Sequence, residues 1–198
     1  MKVLKCVIVV DMIKWFCFIT IIVFVSCKSE YTNYVESELD KGVINDSLIF
    51  GMRMGQTRKD FFRICWDLNK QQIITNGEVT NAQYVDKLDS TQDQTLQKTM
   101  LFYGIFDQTD TMRGMNIKYR YDSWAPWNKN RYSIVLLDQL KAFYTQNYKG
   151  NDFIEIDLDD IKYKAYAKID GNRQILMYQK DDRDVIVKIE DLRHKYKK

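Results

Sequence analysis

Residues 115–121 read Met-Asn-Ile-Lys-Tyr-Arg-Tyr, and apolar and polar side chains alternate along them without a break. A period of two turns one apolar face towards a core and one polar face towards water, which is typical of a half-buried β-strand. Residues 99–106 precede this segment and are rich in strand-forming side chains, and residues 79–85 form a weaker candidate. The central part of the chain is therefore predicted to form three strands.

Further strands are predicted in the last quarter of the chain. Short polar or glycine-containing segments separate them, as at Asp170-Gly171, where glycine can supply the positive φ of a tight turn. This spacing predicts an antiparallel meander. The four predicted strands are residues 153–158, 163–169, 174–179 and 185–189.

A first helix is predicted to begin at Thr57. Asp60 follows three residues later, which is close to a capping box, and Gly55 allows the turn before it. Phe61, Ile64, Cys65 and Leu68 then share one face of this helix.

A second helix is predicted from Ser133 to about Tyr148, with Gly150 just past its end. The sequence therefore predicts an α+β domain over residues 44–198, in which two helices pack on an antiparallel sheet. A helix followed by three or four strands occurs twice in this order. Two similar halves are therefore an alternative organisation.

The N-terminal region predicts a signal peptide rather than a membrane span. Lys14 precedes an apolar run of eleven residues, Trp15 to Val25, which matches the apolar region of a secretory signal. As a helix this run is about 17 Å long, roughly half of the hydrocarbon core of a bilayer. We expect the segment before Cys27, residues 1–26, to be the signal. Asp11 is awkward inside a signal, so a translation start at Met12, which would leave residues 12–26 as the signal, is the alternative that we favour.

The end of this run, Val25-Ser26-Cys27, resembles the lipobox of bacterial lipoproteins. The resemblance implies that Cys27 is acylated and becomes the mature N-terminus, which anchors the protein to a membrane of the cell envelope. Lys28, rather than aspartate, follows the cysteine, and the resemblance associates this with the outer membrane. The alternative is an ordinary Cys27 thiol behind an uncleaved anchor.

The mature chain is predicted to begin with a tether. Residues 28–42 are polar and lack a sustained period, so residues 27–43 comprise the lipidated cysteine and a linker that lifts the domain off the membrane. Cys65 is then the one cysteine left in the domain, which predicts no internal disulfide and a thiol that behaves as a small buried hydrophobe.

Residues 51–61, Gly-Met-Arg-Met-Gly-Gln-Thr-Arg-Lys-Asp-Phe, resemble the helix start of small periplasmic lipoproteins of the SmpA and β-lactamase-inhibitor-like group. The resemblance covers about a dozen residues. It implies a helix that packs on a sheet, and it implies no activity.

Composition and motifs argue against several classes of function. The net charge of +3 is too small for a protein that mainly neutralises phosphates, so no nucleic-acid partner is expected. The chain contains no glycine-rich phosphate loop and no Gly-x-Ser-x-Gly motif, and its one histidine, His194, is a poor general base. We therefore predict no catalytic residues and no cofactor.

The acidic residues 152–160 suggest either a site for a hard cation or a charged hairpin. If Asp159-Asp160 is a two-residue loop, Glu155 lies opposite Lys164 and Ile156 opposite Tyr163, so opposite charges pair on one face. We favour the hairpin and predict no metal site.

Aromatic residues around the segment 123–128 are the candidate binding residues: Tyr121, Trp124 and Trp127. Exposed indoles could anchor a partner protein of the envelope or stack on a sugar ring, or they could instead fill the core. The sequence therefore predicts a non-catalytic binding domain of unknown specificity, with a carbohydrate-binding lipoprotein as the alternative. A carboxylate-based hydrolase is a weaker alternative, because no pair of acids is singled out. The oligomeric state is not predicted.

Overall fold

The computed structural model describes residues 29–196, in which the seven predicted strands and one further short strand, Thr75–Asn76, join into one eight-stranded antiparallel sheet. The strand order is β1-β2-β3-β4-β8-β7-β6-β5. In chain order the strands are β1 (Thr75–Asn76), β2 (Ala82–Val85), β3 (Lys98–Phe106), β4 (Met112–Tyr121), β5 (Ile154–Ile156), β6 (Ala165–Asp170), β7 (Arg173–Gln179) and β8 (Val185–Asp191).

Within these residues the chain forms three α-helices, α1 (Glu30–Asp40), α2 (Arg58–Lys70) and α3 (Ser133–Asn147). The predicted capping box is present at the start of α2, where the Thr57 hydroxyl accepts from the Asp60 N–H and the Asp60 carboxylate accepts from the Thr57 N–H. Both predicted helices and the α+β class are thus confirmed.

The two halves of the domain follow the same order, which the sequence predicted as an alternative. Strands β1 to β4 follow α2, and β5 to β8 follow α3. The last strand of each half pairs with the other in the middle of the sheet, with Ile117 opposite Val187. The domain therefore repeats one arrangement, a helix and four strands, across a shared sheet.

One face of the sheet carries the core. Phe102, Ile117, Val187 and Met177 lie on this face in register across four neighbouring strands, and all are fully buried. Helix α2 adds Phe61, and α3 adds Leu136, Leu137 and Leu140 to the same cluster. Alternation along each strand thus places the apolar side chains beneath the helices.

Cys65 belongs to α2 and packs half-buried against this core without a disulfide. Burial raises the pKa of its thiol to about 11, so the thiol stays protonated at neutral pH. It therefore behaves as a small hydrophobe, as predicted, but it is half-buried rather than buried.

The β5–β6 hairpin differs from its predicted register. Ile156 lies opposite Ala165 rather than Tyr163, and residues 157–164 form the connection instead of the two-residue loop Asp159-Asp160. Glu155 and Lys164 still form an ion pair, because a shift of two residues keeps every side chain on its predicted face.

The structure places α1 where the sequence predicted a polar tether, residues 28–42. Val35 and Glu38 of this helix are buried. Glu38 accepts hydrogen bonds from the Lys41 ammonium at 2.5 Å, from Asn151 Nδ2 at 2.8 Å and from the Gly171 N–H at 3.3 Å. The folded unit therefore includes the described chain from Tyr34 onward. The contacts of Glu38 with Asn151 and Gly171 join distant segments, so no local sequence pattern predicts them.

The predicted signal peptide, the proposed start at Met12, and Cys27 with Lys28 lie outside the described residues.

We expect Thr57→Ala to lower the free energy of unfolding by about 1 kcal/mol, because it removes a helix cap. Urea denaturation followed by circular dichroism measures this change. Thr145→Ala, at an exposed position inside α3, is the control. It should not lower the free energy of unfolding, since alanine is the better helix former. Equal stabilities of the Thr57 variant and the parent would contradict the role of the cap.

We expect Glu38→Gln to destabilise the domain at pH 7 and to become harmless in acid. Burial raises the pKa of Glu38, but hydrogen bonds from Lys41, Gly171 and Asn151 outweigh it and leave the pKa below its ordinary 4.5. A carboxyl whose pKa is lowered by folding stabilises fully above its unfolded pKa and loses this contribution as the pH falls through the folded pKa.

Urea unfolding at several pH values should therefore show a difference between parent and Glu38→Gln that is constant above about pH 5 and shrinks below the ordinary pKa of 4.5. Asp138→Asn, at an exposed position of α3, is the matched control. A difference that stays constant down to the acid limit of the folded state would contradict this role of Glu38.

Candidate functional site

A cavity of about 570 Å³ opens on the face of the sheet that carries α2 and α3. Its floor includes Met100 and Tyr119 of β3 and β4, and helix α3 and the segment 47–50 form its two long walls. The volume lies within the roughly 300–1,000 Å³ that is usual for sites of small ligands.

Helix α3 builds one wall from successive turns. Gln139, Phe143 and Asn147 are spaced four residues apart and therefore share one face of the helix. Eight residues of helix extend about 12 Å, which sets the length of this wall. Phe143 is 47% exposed, so an apolar ring borders the opening.

Phe50 builds the opposite wall from a strained backbone. Its φ of 53° and ψ of 31° lie in the left-handed region, which costs a side-chain-bearing residue about 1 to 2 kcal/mol. The ring lies 5.5 Å from the rings of both Tyr84 and Phe102. A backbone hydrogen bond from Leu48 to Met52 closes the turn that holds this conformation.

The floor of the cavity is uncharged. The Tyr119 and Tyr144 hydroxyls share a hydrogen bond of 3.0 Å beneath it. Burial raises the pKa of both phenols above their ordinary value, so both stay neutral. Tyr148 stacks on Tyr144 with ring centres 5.4 Å apart, which continues the aromatic floor to the end of α3.

The two ends of the cavity carry polar groups of different kinds. At one end Lys98 Nζ and an Asp86 carboxylate oxygen lie 3.3 Å apart and neutralise each other. At the other end lie Ser47 and Tyr148. Tyr148 is only 9% exposed as a residue, but its hydroxyl is not among the buried polar atoms that lack a partner, so it stays accessible from the cavity.

A buried charge cluster of Lys168, Asp170 and Arg173 lies behind the Ser47–Tyr148 end. Lys168 Nζ is 3.0 Å from Asp170 Oδ2, and Arg173 Nη2 is 3.7 Å from the same oxygen. Arg173 also donates to Ser47 Oγ at 3.2 Å, and its guanidinium lies 4.7 Å above the Tyr148 ring. The cluster therefore touches two residues of the cavity wall.

The three predicted binding residues differ in how far they are buried. Tyr121 is fully buried and donates to Gln139 Oε1 at 2.9 Å, so it is a core residue and not a surface contact. Trp124 is half-buried, and its indole N–H donates to the Asp182 carbonyl at 3.0 Å. Trp127 is 85% exposed and remains the one surface indole of this group.

The sequence analysis missed an exposed aromatic pair on α2 and the residues that form the cavity walls. Phe62 and Trp66 are exposed one turn apart on α2, a spacing of four residues that the sequence does show. The cavity residues Phe50, Phe143 and Tyr148 gave no local signal, because they come from distant segments.

Among residues 29–196 no group of three or more histidine, cysteine, aspartate or glutamate side chains is placed to hold a metal ion. No helix of the described chain has the length and apolarity needed to cross a bilayer. His194 lies in the short 3₁₀ turn Leu192–His194, away from the cavity lining.

We expect the free energy of unfolding of Phe50→Gly to exceed that of Phe50→Ala by about 1 kcal/mol. Both Phe50→Gly and Phe50→Ala lose the ring contacts, but only glycine relieves the left-handed strain. Phe62, inside α2, is the matched control, where alanine should exceed glycine by about 1 kcal/mol. Urea denaturation of the four variants measures both differences, and the same order at both positions would refute the strain.

No protein family model, no curated protein and no solved structure matches this chain.

Proposed function

We propose that this chain is an acylated bacterial lipoprotein whose extracytoplasmic domain binds a small, mainly apolar ligand without catalysis. The observation that carries the binding role is the cavity between α3 and segment 47–50. Aromatic walls with a few polar groups at the ends are the usual composition of such a site.

The energetics favour an apolar ligand. Phe50, Tyr84 and Phe143 present ring surface to the cavity, and each square ångström of apolar surface removed from water contributes about 25 cal/mol. The floor residue Tyr119 is neutral, and at the end of the cavity formed by Asp86 and Lys98 these two side chains pair with each other. Neither adds an unpaired charge to the cavity. A polar ligand without an apolar body would lose hydration there and gain little in return.

The anchor rests on the sequence before the described residues. The apolar run to Val25, followed by Ser26 and Cys27, supports lipidation at Cys27, and Lys28 supports sorting to the outer membrane. The folded unit begins at Tyr34, so only a few residues separate it from the proposed acyl chains.

Mass spectrometry of the protein purified from its native membrane tests the anchor. We expect a mature N-terminus at Cys27 that carries acyl chains, and Cys27→Ser should release the protein from the membrane fraction, because one chain alone already gives marginal binding and several give stable binding. A bare Cys27 with the upstream peptide still attached would refute lipidation.

Binding of 2-naphthamide, an uncharged fused-ring probe, tests the cavity. Titration of the full chain in lipid nanodiscs, with empty nanodiscs as the blank, should show saturable binding. Phe143→Asp should weaken it at least tenfold by placing a charge at an apolar wall. Phe62→Asp is the matched control, since Phe62 is 50% exposed and Phe143 47%. Equal binding by both variants would refute the site.

A second candidate function is carbohydrate binding, favoured by the exposure of Trp127. One indole that is 85% exposed can stack on a sugar ring, although Trp124 and Tyr121 do not extend the platform. A glycan array should then show binding by the parent that Trp127→Ala loses and Trp66→Ala, an exposed indole on α2, keeps. If both variants keep the glycan binding of the parent, the surface around Trp127 is excluded as the site.

A further inference from the structure

We infer that the cavity takes a monocarboxylate with an apolar body, and that the carboxylate lies at the Ser47–Tyr148 end. This inference rests on the proposed function, because it names the ligand class of the same cavity. It follows from the hydrogen-bond donors at that end, the charge behind them and the character of the rest of the cavity.

Two residues with hydroxyl groups, Ser47 and Tyr148, line this end of the cavity, and both contact Arg173. Ser47 Oγ already accepts a hydrogen bond from Arg173 Nη1 at 3.2 Å, so its own proton is left to donate. The Tyr148 side chain is mostly buried, but its hydroxyl is not one of the buried atoms without a partner, so it keeps open space in the cavity into which it can donate. A carboxylate has two oxygens that only accept hydrogen bonds, so it matches two O–H donors.

The buried charges behind this end leave one positive charge unbalanced. Lys168 and Arg173 face a single carboxylate, Asp170, and all three side chains are more than nine-tenths buried. Two of their hydrogen-bonding atoms, Arg173 Nε and Asp170 Oδ2, have no hydrogen-bond partner in the described chain.

The neighbouring charges do not remove this excess. Glu38 pairs with Lys41, and Asp46 pairs with Arg53. Asp191, which lies opposite Arg173 in the sheet, pairs with Arg193, so all three pairs are neutral. The C-terminal end of α3 adds about half of a negative charge. About half of a positive charge remains at this end, which favours an anionic group over a neutral or cationic one.

The rest of the cavity fits an apolar body and not a second charge. From Tyr148 the wall runs back along α3 past Phe143 to Gln139, a length of about 12 Å. At the far end Asp86 and Lys98 are already paired with each other. A fused ring system or an acyl chain of moderate length would therefore lie against Phe50 and Phe143.

The test compares 2-naphthoate with 2-naphthamide, which have the same rings and differ in charge. Titrations at pH 7 of the full chain in nanodiscs of zwitterionic lipid should show naphthoate binding about tenfold more tightly. A hydrogen bond to a charged group adds about this much over a neutral one. Ser47→Ala and Tyr148→Phe should each weaken naphthoate binding more than naphthamide binding and so remove most of this preference, because a hydrogen bond to a charged acceptor is the stronger one.

Tyr84→Phe is the matched control, because Tyr84 also lines the cavity but at the far end. It should leave the preference intact, and a loss of preference there would overturn the assigned orientation. The Tyr148 substitution keeps the stacked ring, so it spares the packing on Tyr144.

Equal affinities for the two probes overturn the carboxylate inference and leave the proposed function standing. Binding of neither probe overturns the proposed function itself. A preference for naphthoate that survives both Ser47→Ala and Tyr148→Phe also overturns the inference, because the charge would then be recognised elsewhere.

Discussion

The structure depends on the antiparallel pairing of β4 with β8, the last strands of the two halves. Each half is a helix and a four-stranded meander with one apolar face, and one helix alone covers only part of that face. The pairing sets Ile117 beside Val187, so the two apolar faces become one surface, which both helices can cover. One shared core of this kind is a larger and more favourable burial than two small ones.

The cavity is a consequence of this arrangement. Helix α2 packs near β3, whereas α3 lies over β4, β7 and β8, so part of the apolar face between them needs another cover. The segment around Phe50 supplies that cover, and its left-handed backbone places the ring against Tyr84 and Phe102. Strain of this kind persists only where the surrounding contacts determine it, as at ligand-binding walls.

The buried charge cluster connects the cavity to the periphery of the domain. Asp170 accepts a hydrogen bond from the Asn151 N–H at 2.6 Å, and Gly150 beside it has a φ of 131°. A Cβ at Gly150 would come within 2.0 Å of the Asp170 carboxylate, so the close approach requires glycine. Through Arg173 the same cluster reaches Ser47, which joins the packing around the β6–β7 hairpin to one end of the cavity. Removing Asp170 would leave two buried positive charges without a counter-charge, which is costly.

The sequence by itself determined the elements whose cause is local. The capping box at Thr57 and the alternation from Met115 to Tyr121 gave α2 and β4, because each signal lies within one turn or one strand. Only the tertiary structure decided the register of β5 with β6, the docking of α1 through Glu38, and the burial of Tyr121 beside the exposed Trp127. The cavity belongs to this second group, because its walls meet across nearly a hundred residues of chain. Which distant groups meet is settled by the packing of the whole core, and no local pattern carries that information.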